Sequence, residues 1–142
     1  MEILEKRNFG PRWMKWIYQI THLGFVGVKL NGVEGNFFTT GKGLRQGDTI
    51  SPLLFNLVVD VLSKMLAKAV RNDLIQGLCS DMVPSGVVCL QYADDTILFM
   101  EKDERKAENL KKNLTCFEQV SGMIINYSKS EIIPIGLTAE ET

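Results

Sequence analysis

Two adjacent aspartates, Asp94 and Asp95, are the residues of this sequence best suited to chemistry. They lie between two apolar runs, at residues 87–90 and 96–100, whose β-branched and large apolar side chains predict short buried strands. At the tip of such a hairpin the two carboxylates would repel each other, and a divalent cation bound between them would remove that repulsion. Mg²⁺, held by carboxylates and substrate phosphates, fits this pattern. Because aspartate also suits ordinary turns, the dipeptide alone favours a purely structural turn.

A glycine-bearing loop at residues 41–48 is the second feature suited to chemistry. Gly43 and Gly47 would let a ligand approach the backbone closely, and the amide groups at the start of the next helix would favour phosphate. Arg45 and Gln46 add side-chain donors at the same place. Because the residue order is not that of a Walker phosphate loop, this loop by itself is weak evidence.

The remaining pattern predicts the elements that must hold these two features. Helical periodicity, with prolines near helix starts and glycines after helix ends, predicts helices at residues 2–8, 11–22, 51–71 and 103–121. Short apolar runs predict strands at residues 25–30, 36–40, 87–90, 96–100, 123–125 and 132–135. The fold predicted is α+β, with a small antiparallel sheet that carries the acidic hairpin and packs on the helices at 51–71 and 103–121.

The length of 142 residues allows one domain or part of one. Its predicted segments are a helical part at 1–24, a hairpin at 25–40, a loop and helix at 41–71, the acidic hairpin at 87–101, and a helix with a final segment at 103–135. The second helix has a stripe that predicts core packing rather than a platform for base stacking, formed by Trp13, Trp16, Ile17 and Ile20.

Composition narrows the possible classes of function. The net charge of −1 argues against a nucleic-acid binder that depends on basic charge alone, although residues 1–50 hold seven basic and four acidic side chains. No apolar run has the length that a membrane span needs, and the start lacks the pattern of a secretory signal. Three scattered cysteines form no metal-binding pair. We therefore expect an intracellular protein, nuclear or cytoplasmic, with reduced thiols.

Three segments in order resemble the non-LTR, or LINE-type, retrotransposon reverse transcriptases. Residues 43–55 are similar to motif B of that family, and Tyr92-Ala93-Asp94-Asp95 is similar to its motif C box. Residues 121–130 resemble the segment that follows, including Asn126-x-x-Lys129-Ser130. The order and spacing of these segments fit the family over roughly residues 3–135. The chain is therefore identified as a member of that family, and it carries part of the polymerase palm domain.

The resemblance implies a role for each matching residue. Asp94 would be the metal-ligating carboxylate of motif C, with Asp95 beside it as a supporting acid, and both are the implied metal ligands. Lys129 would neutralise or protonate the leaving pyrophosphate. The implied nucleotide and template contacts are Arg45, Gln46, Gly47 and Tyr92.

The reaction implied is RNA-directed DNA synthesis, in which a primer 3′-hydroxyl attacks a dNTP at a site with two Mg²⁺ ions. The implied partners are an RNA template, a DNA primer and a dNTP, with no membrane and no obligate protein partner. The family has another catalytic aspartate, in motif A, just before the first helix, and no aspartate precedes Asp48 here. We therefore expect the chain alone to polymerise poorly or not at all.

Other interpretations remain open at this point. The chain could be a non-catalytic retroelement remnant with at most weak nucleic-acid binding, or part of a protein similar to group II intron maturases. It could also be an ordinary α+β domain whose Asp-Asp turn is only a turn. For an incomplete palm we expect an unpaired strand edge and marginal stability or aggregation.

Overall fold

The structure is a computed structural model that describes residues 2–39, 47–83 and 86–136. The chain divides into two compact units, Met1–Val61 and Leu62–Thr142, and the boundary between them falls within one helix. Helices and short antiparallel strand pairs alternate along the described residues, so the predicted α+β class is confirmed.

The first unit begins with two helices, α1 at Glu2–Lys6 and α2 at Pro11–His22. Proline at the first position of α2 suits a helix start, because proline has no backbone N–H and a φ angle close to the helical value. The buried residues of this unit are Leu4, Ile17 and Val59. Arg7 forms an ion pair with Asp60.

Four two-residue strands follow: β1 at Phe25–Val26, β2 at Lys29–Leu30, β3 at Val33–Glu34 and β4 at Phe38–Thr39. They form two separate ladders, β1 with β4 and β2 with β3, where the sequence predicted one hairpin of longer strands. The turn between β2 and β3 is formed by Asn31 and Gly32, with positive φ angles of 49° and 84°.

The long helix α3 spans Ser51–Arg71, as predicted. Leu62, Leu66 and Ala69 of this helix are buried in the second unit. In contrast, Leu53 near the start of the same helix is 48% exposed.

The second unit contains β5 at Cys89–Tyr92, β6 at Asp95–Leu98 and α4 at Glu104–Ser121. Asp103 begins α4 by accepting the backbone N–H of Lys106 at 3.0 Å, and Gly122 ends it with a φ of 73°. Leu110 and Phe117 are the buried residues of α4, and Ile75 is buried in the segment after α3. The side chain of Asn109 donates to the Leu74 carbonyl at 2.9 Å and so connects α4 to that segment.

Two predictions about the elements are wrong. The runs at 123–125 and 132–135 are not strands; between them lies a short 3₁₀ turn at Tyr127–Lys129. No other strand in the described ranges pairs with them, and Ile132 is 96% exposed. The predicted core stripe of α2 is also partly wrong, because Ile17 is buried whereas Trp16 and Ile20 are each 46% exposed.

Candidate functional site

The acidic hairpin is a two-residue turn between paired strands. Tyr92 lies opposite Asp95, and the register continues through Gln91–Thr96, Leu90–Ile97 and Cys89–Leu98. Ala93 and Asp94 therefore form the loop itself. The strands lie one to two residues closer to the tip than the apolar runs predicted, so Asp95 is a strand residue rather than a loop residue.

Ala93 has a φ of 49°, in the left-handed region that glycine, asparagine and aspartate adopt more readily. A positive φ at the first loop position suits the right-handed twist of a two-residue hairpin. The backbone of Ala93 is thus held in a conformation that alanine seldom adopts. This backbone strain lies at the residue that immediately precedes the predicted metal ligand.

A side-chain bridge spans the base of this turn. The side-chain amide of Gln91 donates to the Ala93 carbonyl at 2.8 Å, and the Thr96 hydroxyl donates to the Gln91 side-chain oxygen at 2.7 Å. Gln91 and Thr96 are cross-strand partners, so their side chains leave the sheet on the same face. Since the Ala93 carbonyl belongs to the peptide that leads into Asp94, this bridge restrains the direction in which the Asp94 side chain leaves the turn.

The two faces of the hairpin differ in exposure. Cys89, Gln91 and Leu98 are half-buried, whereas the opposite face is open to solvent and contains Leu90, Tyr92, Asp95 and Ile97. Tyr92 is 84% exposed, which is far more than a tyrosine needs for solvation of its hydroxyl alone. An exposed aromatic ring beside a carboxylate is compatible with a nucleotide contact.

Asp94 and Asp95 are both exposed. Among the side chains that the structure describes, neither carboxylate forms an ion pair with a basic residue. Their oxygens are hard ligands, which Mg²⁺ prefers. Within the described ranges no group of three or more acidic, histidine or cysteine residues could enclose an ion. Asp94 and Asp95 therefore remain predicted metal ligands.

Lys129 ends the 3₁₀ turn that follows α4 and is exposed. The turn is held by local bonds, since the Lys129 N–H donates to the Asn126 carbonyl at 3.0 Å. Further back, the Glu118 carboxylate accepts the Ile125 N–H at 2.7 Å and fixes the segment to α4. Among the described residues, no hydrogen bond or ion pair joins Lys129 to the acidic hairpin.

Gly47 belongs to the first unit and has a φ of 82°. A Cβ atom there would meet nothing within 4 Å, so the backbone conformation rather than lack of space requires glycine. Next to it, the Asp48 carboxylate accepts the Ile50 N–H at 3.1 Å just before α3 begins. Arg45 and Gln46, the other predicted nucleotide contacts in this loop, lie outside the described residues.

Two glycines before the hairpin allow a close approach of two chain segments. A Cβ on Gly77 would lie 2.6 Å from the Val87 carbonyl oxygen, and one on Gly86 would lie 2.8 Å from the Gly77 backbone. Beside them, Leu78 and Val87 form an isolated antiparallel bridge. The sequence of this segment did not predict the close approach.

A shallow cleft of about 440 Å³ lies between α3 and the start of β5, lined in part by Leu66, Val70, Val88 and Cys89. Burial raises the pKa of the Cys89 thiol above its ordinary value, so this thiol is a poor nucleophile. The lining contains neither aspartate of the turn, and the cleft is therefore separate from the candidate site.

Sequence reasoning missed three residues that hold the site, namely Gln91, Thr96 and Glu118. The roles of Gln91 and Thr96 depend on the register, which becomes known only when the turn is located. The signal was present, because a polar residue two positions before the loop residue Ala93 faces another polar residue across a two-residue hairpin. Glu118 lies in a charged helix where an exposed, solvated side chain is the usual outcome.

No helix in the described part of the chain has the length and apolarity that a membrane span requires. Comparison with protein families gives a match over residues 1–137 to the model described as reverse transcriptase (RNA-dependent DNA polymerase). That match covers both units.

Individual relatives agree with the family match. The retrovirus-related Pol polyprotein from the type-1 retrotransposable element R2 of Nasonia vitripennis is 31% identical over 101 residues, which is 71% of this chain and 8% of the relative. The corresponding polyprotein from the type-2 element R2DM of Drosophila melanogaster is 30% identical over 105 residues, or 72% of this chain and 9% of the relative. An uncharacterised mitochondrial protein of Arabidopsis thaliana is 33% identical over 79 residues, 56% of this chain and 64% of that protein.

The chain thus spans less than a tenth of the length of these two R2 polyproteins. The family match, in contrast, extends over nearly all residues of this chain and includes the acidic hairpin. The chain therefore belongs to the reverse transcriptase family, and its similarity lies with the non-LTR retrotransposon enzymes.

Proposed function

We propose that this chain supplies the acidic hairpin and the nucleotide-facing residues of an RNA-directed DNA polymerase that uses two Mg²⁺ ions. The observation that carries the proposal is the strained two-residue turn, which presents the exposed carboxylates of Asp94 and of the adjoining Asp95 within a chain matched to the reverse transcriptase family. A turn with no ligand would be more stable without adjacent like charges.

Each residue of the site has a proposed task. Asp94, in the loop, is the metal ligand, and Asp95, on the strand, supports it. Tyr92 contacts the nucleotide or template from the exposed face beside Asp95. Gly47, with Arg45 and Gln46, contacts the incoming nucleotide, and Lys129 acts on the leaving pyrophosphate. When bound, the Mg²⁺ ions would supply Lewis acidity that favours ionisation of the primer 3′-hydroxyl and balances the charge on phosphate.

The small number of carboxylate ligands on the hairpin also limits the metal affinity and the activity that we propose for the isolated chain. Mg²⁺ prefers six oxygen ligands, and the described residues bring no third acidic side chain to Asp94 and Asp95. We therefore propose that the 142-residue chain binds divalent ions weakly and incorporates no nucleotide by itself. RNA template, DNA primer and dNTP are its partners only when further ligands complete the site.

Metal binding at the turn tests the proposal without requiring catalysis. Addition of Mn²⁺ to the purified chain should broaden the NMR signals of Asp94, Asp95 and their neighbours, and excess Mg²⁺ should reverse the broadening. Asp94→Asn should abolish most of this effect, whereas Asp81→Asn, which removes an exposed carboxylate elsewhere in the same unit, should leave it unchanged.

A transplant tests the catalytic role. Residues 87–101 would replace the corresponding hairpin of a reverse transcriptase of demonstrated activity, and primer extension would be measured with and without Asp94→Asn. Activity that depends on Asp94 supports the proposal. An inactive but folded chimera, or Mn²⁺ broadening that is the same in Asp94→Asn, would instead favour a non-catalytic remnant.

A further inference from the structure

The exposed side of α2 combines basic and aromatic side chains. Residues spaced by three and four along a helix share a face, and here such spacing joins Arg12, Lys15, Trp16 and Gln19. Tyr18 and His22 adjoin Lys15 on the same exposed side, opposite the buried Ile17. We call this surface the cationic–aromatic face, and its members are Arg12, Lys15, Trp16, Tyr18, Gln19 and His22.

Arg12 and Lys15 give this face a positive charge. Helix α2 contains no acidic residue. Within the ranges that the structure describes, neither Arg12 nor Lys15 forms an ion pair, whereas Arg7 pairs with Asp60 and Lys29 with Glu34. The two cations of α2 are thus available to an external anion.

Its aromatic rings are exposed and already arranged for stacking. The Arg12 guanidinium lies 4.8 Å from the centre of the Trp16 ring, and the Tyr18 and His22 rings stack with centroids 4.3 Å apart at 15°. Trp16 and Tyr18 are each 46% exposed. Rings interleaved with cations are the arrangement by which single-stranded nucleic acids are bound, because bases stack on the rings while phosphates meet the cations.

A protein partner fits this face less well. Packing it against an apolar protein surface would bury two cations without counter-charges, which is costly. A helix face that packs against protein would have its cations at the rim of the contact. Here Arg12 and Lys15 lie within the face, between its aromatic residues. A flexible polyanion with flat aromatic groups satisfies both the charges and the rings.

We infer that the cationic–aromatic face of α2 binds single-stranded nucleic acid, with Arg12 and Lys15 on phosphates and Trp16 and Tyr18 against bases. In the family context this face adds an anchor for the template or primer. The inference rests on the proposed function only in its choice of RNA as the natural ligand.

Binding would be measured by fluorescence anisotropy with the 142-residue chain and a short, unstructured, labelled single-stranded RNA over a range of salt concentrations. Arg12→Gln/Lys15→Gln should lower the affinity on the order of tenfold at about 0.1 M salt and reduce the slope of log K against log salt by roughly 1.4. Lys111→Gln/Lys112→Gln removes the same charge from exposed positions on α4 and should change neither quantity appreciably.

Tryptophan fluorescence locates the contact, since Trp13 and Trp16 are the two tryptophans. RNA should quench the Trp13→Phe variant, in which Trp16 is the reporter, and should scarcely affect Trp16→Phe. Far-UV circular dichroism would establish that each variant keeps its helices.

Three outcomes would overturn the inference: no binding by the unaltered chain, equal losses in the two double variants, or equal binding of poly-glutamate, which would indicate an acidic protein partner. The RNA-binding assay is run without divalent metal, so its result does not depend on metal binding at the acidic turn. Failure of the Mn²⁺ experiment would therefore count against the proposed function alone, and failure of the RNA experiment against this inference alone.

Discussion

Thr96 donates its hydroxyl to the Gln91 side chain at 2.7 Å, directly across the two strands that end in the acidic turn. Gln91 in turn donates to the Ala93 carbonyl at 2.8 Å. The two bonds join both strands to the peptide that precedes Asp94. They restrain the turn from one face while Asp95 and Tyr92 lie on the other.

We predict that Thr96→Val weakens Mn²⁺ binding at the turn by about threefold, because a net hydrogen bond of about 0.5–1 kcal/mol is lost from its support. Gln91→Ala should cost more, since it removes both bonds. Thr96→Ser keeps the hydroxyl and is the matched control. The Mn²⁺ affinity is measured from broadening of the Asp94 and Asp95 NMR signals.

A double-mutant cycle of Gln91→Ala and Thr96→Val separates support of the turn from general loss of stability. If Gln91 positions the turn, the two losses in Mn²⁺ affinity should be strongly non-additive. Independent, additive losses, or an unchanged affinity in a variant that is merely less stable to urea, would contradict a positioning role.

Backbone strain at Ala93 predicts that Ala93→Gly stabilises the hairpin. A left-handed φ of 49° costs an alanine about 1 kcal/mol relative to glycine, and part of that gain is offset by the greater freedom of glycine in the unfolded chain. We expect the free energy of unfolding to rise by about 0.5 kcal/mol in urea titrations. Gly122→Ala is the matched reverse change, since Gly122 has a φ of 73° and open space around it, and it should lower stability by about 1 kcal/mol.

The same variant separates stability from function. If the strain at Ala93 serves to present Asp94, Ala93→Gly should gain stability while its Mn²⁺ affinity falls. A gain in both would mean that the strain has no role in metal binding.

The close approach at Gly77 predicts a larger effect. A methyl group there would lie 2.6 Å from a backbone oxygen, which cannot rotate away as a side chain can. Gly77→Ala should therefore lower the free energy of unfolding by about 1–3 kcal/mol. Gly10→Ala, where a Cβ would meet nothing within 4 Å, is the control. Gly10 is the N-cap of α2, so alanine there should cost about 0.5 kcal/mol, part of which is offset by the lower freedom of alanine in the unfolded chain. Equal effects would show that residues 77 and 87 are not in contact.

The sequence predicted the helices and the acidic hairpin because their signals are local. Periodicity, an N-cap such as Asp103 and a C-cap such as Gly122 act within a few residues, so α2, α3 and α4 begin and end close to the predicted positions. The predicted strands at 123–125 and 132–135 did not form, because strand formation depends on a partner elsewhere in the chain and not on local signals. A strand requires a partner, and the Ile125 N–H donates instead to Glu118.

Side-chain roles depended on register and on burial, which periodicity only approximates. Trp16 is the neighbour of the buried Ile17 and is itself exposed. It was predicted to lie in the core and instead belongs to the cationic–aromatic face. Gln91 acquired its role only because the turn places Thr96 opposite it. Asp94 and Asp95 could be identified as candidate site residues without the register, because two adjacent carboxylates between apolar runs are visible in the sequence itself.

Glu118 is predicted to hold the segment that carries Lys129. Its carboxylate accepts the Ile125 N–H at 2.7 Å across the end of α4. Glu118→Ala should raise the hydrogen-exchange rate of the Ile125 amide and lower stability by about 1–2 kcal/mol, because a charge-assisted bond is lost. Glu118→Gln keeps an acceptor oxygen and should lose less than half as much. An unchanged Ile125 exchange rate in Glu118→Ala would contradict this role.

The three thiols should react in an order set by their surroundings. Burial raises the pKa of Cys89, which keeps that thiol protonated, whereas Cys79 and Cys116 are exposed. Iodoacetamide should therefore label Cys79 and Cys116 first, as mass spectrometry of peptides would measure. Because the folded state holds the Cys89 proton more tightly than the unfolded state, stability should fall as pH rises above the ordinary thiol pKa. Cys89→Ala should reduce that fall, and a Cys89 that reacts as fast as Cys116 would show that β5 opens readily next to the acidic turn.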